Sequence, residues 1–231
     1  MRAPRVLLAC LALVNVAATS APDALNPSCP KHLNWSTYPI MRFTLDTSSG
    51  HRILRAEGAI DEDLAARLAD ALKTNAPIDE IWLRSPGGDA RAGNAAGKLI
   101  RASGIPTRIP AGWACFSACN FVFMGGAVRY VDDGGLFVVH MFTHVGDKDA
   151  VRSELAKGTD NAIGLIGDVE QDSALLASED NDFLIRMGVS RKLLTEVMYQ
   201  QKAVADGSGD QSTRRCLTVA EAVKYNVANA Q

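Results

Sequence analysis

A surplus of positive charge is missing from this sequence. The 24 Lys and Arg stand against 26 Asp and Glu, for a formal net charge of −2 at pH 7. No large positive field therefore exists to gather nucleic acid or anionic lipid. Zinc-type ligand spacing is also missing: the 4 histidines and 5 cysteines are scattered along the chain. Neither a metal nor a cofactor is expected. Long low-complexity segments and strict repeats are absent. The apolar run near the start, Val6 to Ala18, falls short of a comfortable membrane span, which takes about 20 residues.

What is present is enough for one domain with a real core: 231 residues, of which 47% are hydrophobic. Arg2 and Arg5 precede the apolar run, and Ala18-Thr19-Ser20-Ala21 follows it with small residues. That layout predicts a secretory signal peptide over 1–21 and a periplasmic or secreted mature chain. An oxidising compartment makes disulfides of interest, and Cys29, Cys115, Cys119 and Cys216 remain after cleavage. Four cysteines allow three pairings. Cys115 and Cys119, four residues apart, are within disulfide reach on a helix, or else they are small buried hydrophobes.

Residues 22–40, rich in Pro, Ser and Asn, read as a flexible lead-in, and residues 41–231 as the folded domain. Strands are expected over Met41–Asp46 and Arg52–Ile60, a helix over Asp61–Thr74, and a strand over Ile78–Arg84. After Ser85-Pro86-Gly87-Gly88-Asp89 the order repeats. A helix is expected over Ala90–Ala102, a strand over Ile105–Ile109, and a helix from about Ser117 to Met124. Strands over Val128–Val131 and Leu136–His140 follow, and from Lys148 the chain reads as mainly helical. Strand and helix alternating at this pitch predict an α/β fold with mostly parallel strands.

Two turns carry candidate chemistry. Gly87-Gly88, between a strand and a helix, frees backbone N–H groups that can hold a phosphate or an oxyanion; an ordinary tight turn is the plain alternative. Ser117 opens a helix after small residues, where a serine commonly caps. A nucleophilic serine needs a base in reach. His140, at the end of an apolar strand, is the candidate, with His144 its rival.

Together these pieces resemble the proteolytic subunit of Clp protease and its exported relatives, within the wider crotonase-like fold. The resemblance runs from about Ile53 to Val227. Ser85-Pro86-Gly87-Gly88 with Ala92-Gly93 is similar to that family's oxyanion turn and following helix. Ser117 with Gly125-Gly126-Ala127-Val128-Arg129 resembles the nucleophile helix and the segment after it. Val138-Val139-His140 resembles the strand that delivers the histidine. Leu217 to Val227 resembles the C-terminal helix motif, with Asn226 where glycine is usual. The resemblance implies a spiral of strand-strand-helix units with a helical C-terminal extension. It implies a serine peptidase with Ser117 as nucleophile, His140 as base, and Gly88 (or Gly87) and Ala118 as oxyanion donors. Peptide or protein is the implied substrate and a homo-oligomer the implied assembly. Outside the cytoplasm no ATP-driven unfoldase is expected.

The third member departs from the pattern. Matched backward from Leu217 its position is Arg214; matched forward from Gly188-Val189-Ser190 it falls near Gln201. An insertion between them holds Asp206 and Asp210, so Asp210, Asp206, Gln201 or none orients His140. Two other readings stay open. Membrane-linked relatives of the fold resemble Ser–Lys dyads, for which Lys157 or Lys148 would serve. A non-catalytic binding or oligomerisation module would keep the fold with a degraded site. Acyl-CoA chemistry is disfavoured by export.

Overall fold

In the computed structural model, which describes residues 28–144, 147–203 and 213–230, strand β1 (Arg42–Asp46) turns back antiparallel to β2 (Ile53–Glu57). Helix α1 (Leu64–Asn75) follows, burying Leu64 and Leu68 one turn apart. It stops before Pro77, which has no N–H to extend it. Strand β3 (Glu80–Arg84) shows plain period-two alternation: Ile81 and Leu83 are buried, and Glu80, Trp82 and Arg84 are partly exposed. Helix α2 (Ala90–Ser103) is capped by the Asp89 carboxylate, which accepts from the Ala92 N–H, and ends at Gly104 in the left-handed region. Next come β4 (Thr107–Ile109), β5 (Ala114–Phe116), the short helix α3 (Cys119–Met124), β6 (Arg129–Val131) and β7 (Leu136–His140). The remainder comprises α4 (Lys148–Ala156), the long α5 (Thr159–Arg186), a π-helical turn at Leu193–Val197, a 3-10 turn at Met198–Gln200, β8 (Arg214–Cys216) and α6 (Val219–Lys224).

Two sheets result. One has the order β1-β2-β3-β4-β6, parallel except for the β1–β2 hairpin. The other has the order β5-β7-β8, with β5 and β7 parallel and β8 antiparallel at the edge. A bridge between Ser85 and Cys115 stitches the end of β3 to β5. The core between sheets and helices is continuous, from Leu54, Ile81 and Ile100 through Phe123 and Phe137 to Phe183 and Leu193.

Small residues on α2 set the position of α3. A Cβ on Gly93 would lie 2.6 Å from the Ala118 carbonyl oxygen, and one on Gly97 would lie 2.3 Å from that of Phe121. Only glycine allows the two backbones to approach this closely. Behind α3, the fully buried Arg129 donates to the carbonyls of Gly126, Asn226 and Val227, tying β6 to the C-terminal segment. Asn226 takes a left-handed φ of 55°, a conformation asparagine tolerates.

The structure corrects several expectations. The helix expected from Ser117 begins at Cys119, and strand β5 precedes it, where no strand was expected. Strand β8 interrupts the region expected to be mainly helical. From residue 28 the expected flexible lead-in is fastened to the body. Cys29 is bonded to Cys216, the Asn34 carbonyl accepts from the Ala114 N–H, and Trp35 stacks on Phe116 at 5.5 Å. The segment 1–21, expected as a signal peptide, lies outside the described residues, as do Asp206 and Asp210. Among the described residues no helix is long and apolar enough to cross a membrane.

Candidate active site

Strand β5 and helix α3 meet at Ser117. Its φ of 57° is left-handed, and among the described residues the only other non-glycine with positive φ is Asn226. For serine that conformation costs on the order of 1–2 kcal/mol. It persists because neighbours hold it: the Ser117 carbonyl accepts from the Asn120 N–H at 2.9 Å, and the Asn120 amide donates to the Val138 carbonyl at 2.8 Å. A strained turn that presents a side chain to a cleft is a common signature of a functional site. The capping role is not what Ser117 does here. Ala118 occupies the cap position of α3, and no side chain bonds the helix N-terminus.

The Ser117 hydroxyl points at β7. Its Oγ lies 2.7 Å from His140 Nε2. If the hydroxyl donates, the imidazole is neutral with its proton on Nδ1. Among the described residues, that buried Nδ1 has no hydrogen-bond partner. The Phe116 ring packs on the imidazole at 4.6 Å between centroids. Burial, and then the positive charge of Arg214, push the His140 pKa down to about 4. Arg214 stands directly opposite His140 in the β7–β8 ladder, the relation in which cross-strand side chains interact. The position where a triad would place an aspartate by backward matching is therefore filled by a cation.

The oxyanion donors divide. The Gly87 N–H is occupied, donating to Ser85 Oγ at 3.0 Å, so Gly87 is not a free donor as expected. Its role is steric: a Cβ there would sit 2.6 Å from the Ser117 Cβ. The N–H groups of Gly88 and Ala118 have no acceptor among the described residues, and both residues line the cleft that holds Ser117. Gly88 (φ 143°) is held by Ile60, whose N–H donates to the Gly87 carbonyl and whose carbonyl accepts from the Asp89 N–H.

The rival residues are engaged elsewhere. His144 Nδ1 pairs with Asp147 at 2.8 Å. Lys157 bonds Glu154 on the surface, and neither Lys157 nor Lys148 lines the cleft. Gln201, an expected orienting group, donates to the Val197 carbonyl and accepts from the Thr213 hydroxyl instead. Among the described residues no cluster could hold a metal ion. The cleft itself measures about 390 Å³ and is walled by Phe116, Phe121, Phe142 and Leu176, with one acid among the described residues, Asp180. Nothing in the local sequence marks Asp180, because its position comes from how α5 packs.

A second disulfide joins Cys115 to Cys119, bracketing Ser117. The two bridges should behave differently. Cys29–Cys216 closes a long loop, and its loss should cost about 2–5 kcal/mol of stability. Cys115–Cys119 closes a short one, so reduction there should change the reactivity of Ser117 more than the melting temperature. Mass spectrometry of the native protein, with free-thiol alkylation, should find all four cysteines bonded. Free thiols in protein taken directly from cells would contradict both the bridges and export.

The fold defined by these elements is that of the Clp-protease type, an α/β spiral with a helical C-terminal extension. Among solved structures, the chain is similar to a point mutant of ClpP1 from Listeria monocytogenes, at 14% identity and a TM-score of 0.50, covering 77% of this chain and 88% of that one. It is also similar to a serine-to-alanine mutant of 1510-N, a membrane-bound stomatin-specific protease, at 16% identity and a TM-score of 0.44, covering 77% and 75%. No protein-family model and no curated protein matches the chain.

Proposed function

We propose that this chain is an exported serine hydrolase, a peptidase that works without an unfoldase, with Ser117 as nucleophile and His140 as base. The observation that carries the reading is the 2.7 Å contact between Ser117 Oγ and His140 Nε2, made by a serine held in a left-handed turn. In the reaction, Nε2 takes the hydroxyl proton as Oγ bonds the substrate carbonyl carbon. The Gly88 and Ala118 N–H groups receive the developing oxyanion. His140 then passes the proton to the leaving amine, and water, activated by the same imidazole, releases the acyl group. The two disulfides and the charged, apolar, small-residue order of 1–21 support work outside the cytoplasm. A homo-oligomer fits the fold, built through the helical half that contains α4 and α5.

One observation favours the second reading, a non-catalytic module. Nothing among the described residues orients the far side of His140, and Arg214 opposes the imidazolium that catalysis must form. Loss of the aspartate alone can cost a triad ~10⁴ in rate. The proposal is therefore a slow hydrolase. Purified mature chain, without nucleotide, should cut unstructured fluorogenic peptides and lose that activity on fluorophosphonate treatment. A folded chain that cuts no peptide or ester favours the module.

A further inference from the structure

The cleft contains a charge that the proposed reaction does not use. Asp180 sits on α5 one turn before Phe183 and Leu184, on the face that packs into the core. It is 7% exposed and lines the same cleft as Ser117 and His140. Its carboxylate has no hydrogen-bond or ion-pair partner among the described residues. Nearby Arg91 is engaged with Asp172 and Glu179. The Tyr199 hydroxyl, in the same lining, is buried with no hydrogen-bond partner among the described residues. Buried polar groups are ordinarily satisfied, so the Tyr199 hydroxyl calls for a partner, and Asp180, 7% exposed on the lining of the same cleft, offers a carboxylate with no countercharge among the described residues.

The walls narrow the choice. Leu176, Phe121 and Met198 offer apolar surface around the carboxylate. A long aliphatic stem ending in a positive head matches that lining, because the stem packs on the apolar walls while the head meets the carboxylate. A neutral amide head would leave the carboxylate without its countercharge. Burial, with Glu179 adding to it, pushes the Asp180 pKa up to about 7, the mark of a carboxylate lacking a cation. Burial and the Asp180 charge push the Tyr199 phenol up to about 12, so it stays a neutral donor or acceptor beside the head group.

We propose that Asp180, assisted by Tyr199, is the specificity-determining residue of the cleft and selects peptides that place a lysine or arginine side chain next to the bond presented to Ser117. This rests on the hydrolase reading for the reaction, though the binding site itself does not need turnover.

The test compares two ligands that differ only in charge, arginine and its neutral isostere citrulline. In hydrolysis, kcat/KM for the arginine peptide should exceed that for the citrulline peptide by about tenfold or more, the effect of one charge-assisted hydrogen bond. Asp180→Asn should bring the ratio near one. In binding, Ser117→Ala protein should take Nα-acetyl-arginine amide about tenfold tighter than the citrulline amide, and the Ser117→Ala/Asp180→Asn protein should not. Hydrolysis of both peptides at equal rates by the unaltered chain overturns the inference, as does a preference that survives Asp180→Asn. Charge-selective binding without any hydrolysis supports the Asp180 site and overturns the hydrolase reading instead. Because the wild-type comparison needs no substitution, a poorly folding variant does not shield the proposal.

Discussion

Replacing Ser117 with Ala, or His140 with Ala, should each remove nearly all hydrolysis, and the double replacement should cost little beyond either single one. The two side chains share one hydrogen bond, at 2.7 Å, and among the described residues no second serine or histidine lines the cleft. Groups that act as a unit are not additive: once one is gone, the other has nothing left to do. Losses of about 10² or more are expected even from a weakened dyad, since general acid–base catalysis alone contributes that much. Stability should respond quite differently. Ser117→Ala removes a strained left-handed serine that caps no helix, and alanine is equally strained there. Its thermal midpoint should stay near that of the unaltered chain. Additive losses across the two sites, or activity retained in either single variant, would mean that the contact is structural.

The second large effect runs in the opposite direction. Arg214→Asp should raise the rate. Arg214 faces His140 across the β7–β8 ladder, and the buried imidazole Nδ1 has no hydrogen-bond partner among the described residues. An aspartate at 214 would replace repulsion with attraction, offer Nδ1 an acceptor, and stabilise the imidazolium that forms as Ser117 attacks. The gain should be about tenfold at least, with ~10⁴ as the upper bound set by what an aspartate contributes to a complete triad. The pH profile gives an independent readout. With the His140 pKa at about 4, kcat/KM should rise on an acid limb near that value and stay flat through pH 7. In Arg214→Asp the limb should move up from that value, because the Arg214 repulsion is gone and a negative charge favours the imidazolium, while burial of the ring still holds it down. An unchanged limb, in a variant that folds, would show that His140 is not the titrating base.

Much of this arrangement is legible in the amino-acid sequence, and the reasons are local. Leu64 and Leu68 mark a helix by spacing, Ile81 and Leu83 mark a strand by alternation, and Gly87-Gly88 ahead of a small-residue helix marks a tight turn. Those signals depend on neighbours a few residues away. Strand β5 leaves no such mark, because three residues carry no period and its pairing with β7 joins residues 22 positions apart. Strand β8 reaches β7 from still further away, so the opposition of Arg214 and His140 is a property of the sheet. Gln201 lies near the right position by counting forward, yet it is tied to Val197 and Thr213. The occupied Gly87 N–H cannot be separated from the free one on Gly88 by sequence, because the difference is a single hydrogen bond to Ser85 Oγ. Asp180 is illegible for a related reason: α5 carries several acids, and only packing decides which of them is buried.

The most direct measurement is covalent modification by a fluorophosphonate, read residue by residue in the mass spectrometer. A nucleophilic Ser117 displaces fluoride and forms an Oγ–P bond, with His140 taking the hydroxyl proton, and no other serine among the described residues has a histidine imidazole bonded to its hydroxyl. The account predicts a label on Ser117 in the folded native chain, lost in Ser117→Ala and in His140→Ala, and faster in Arg214→Asp. A folded chain that takes no label at Ser117, or takes it equally well without His140, would contradict it.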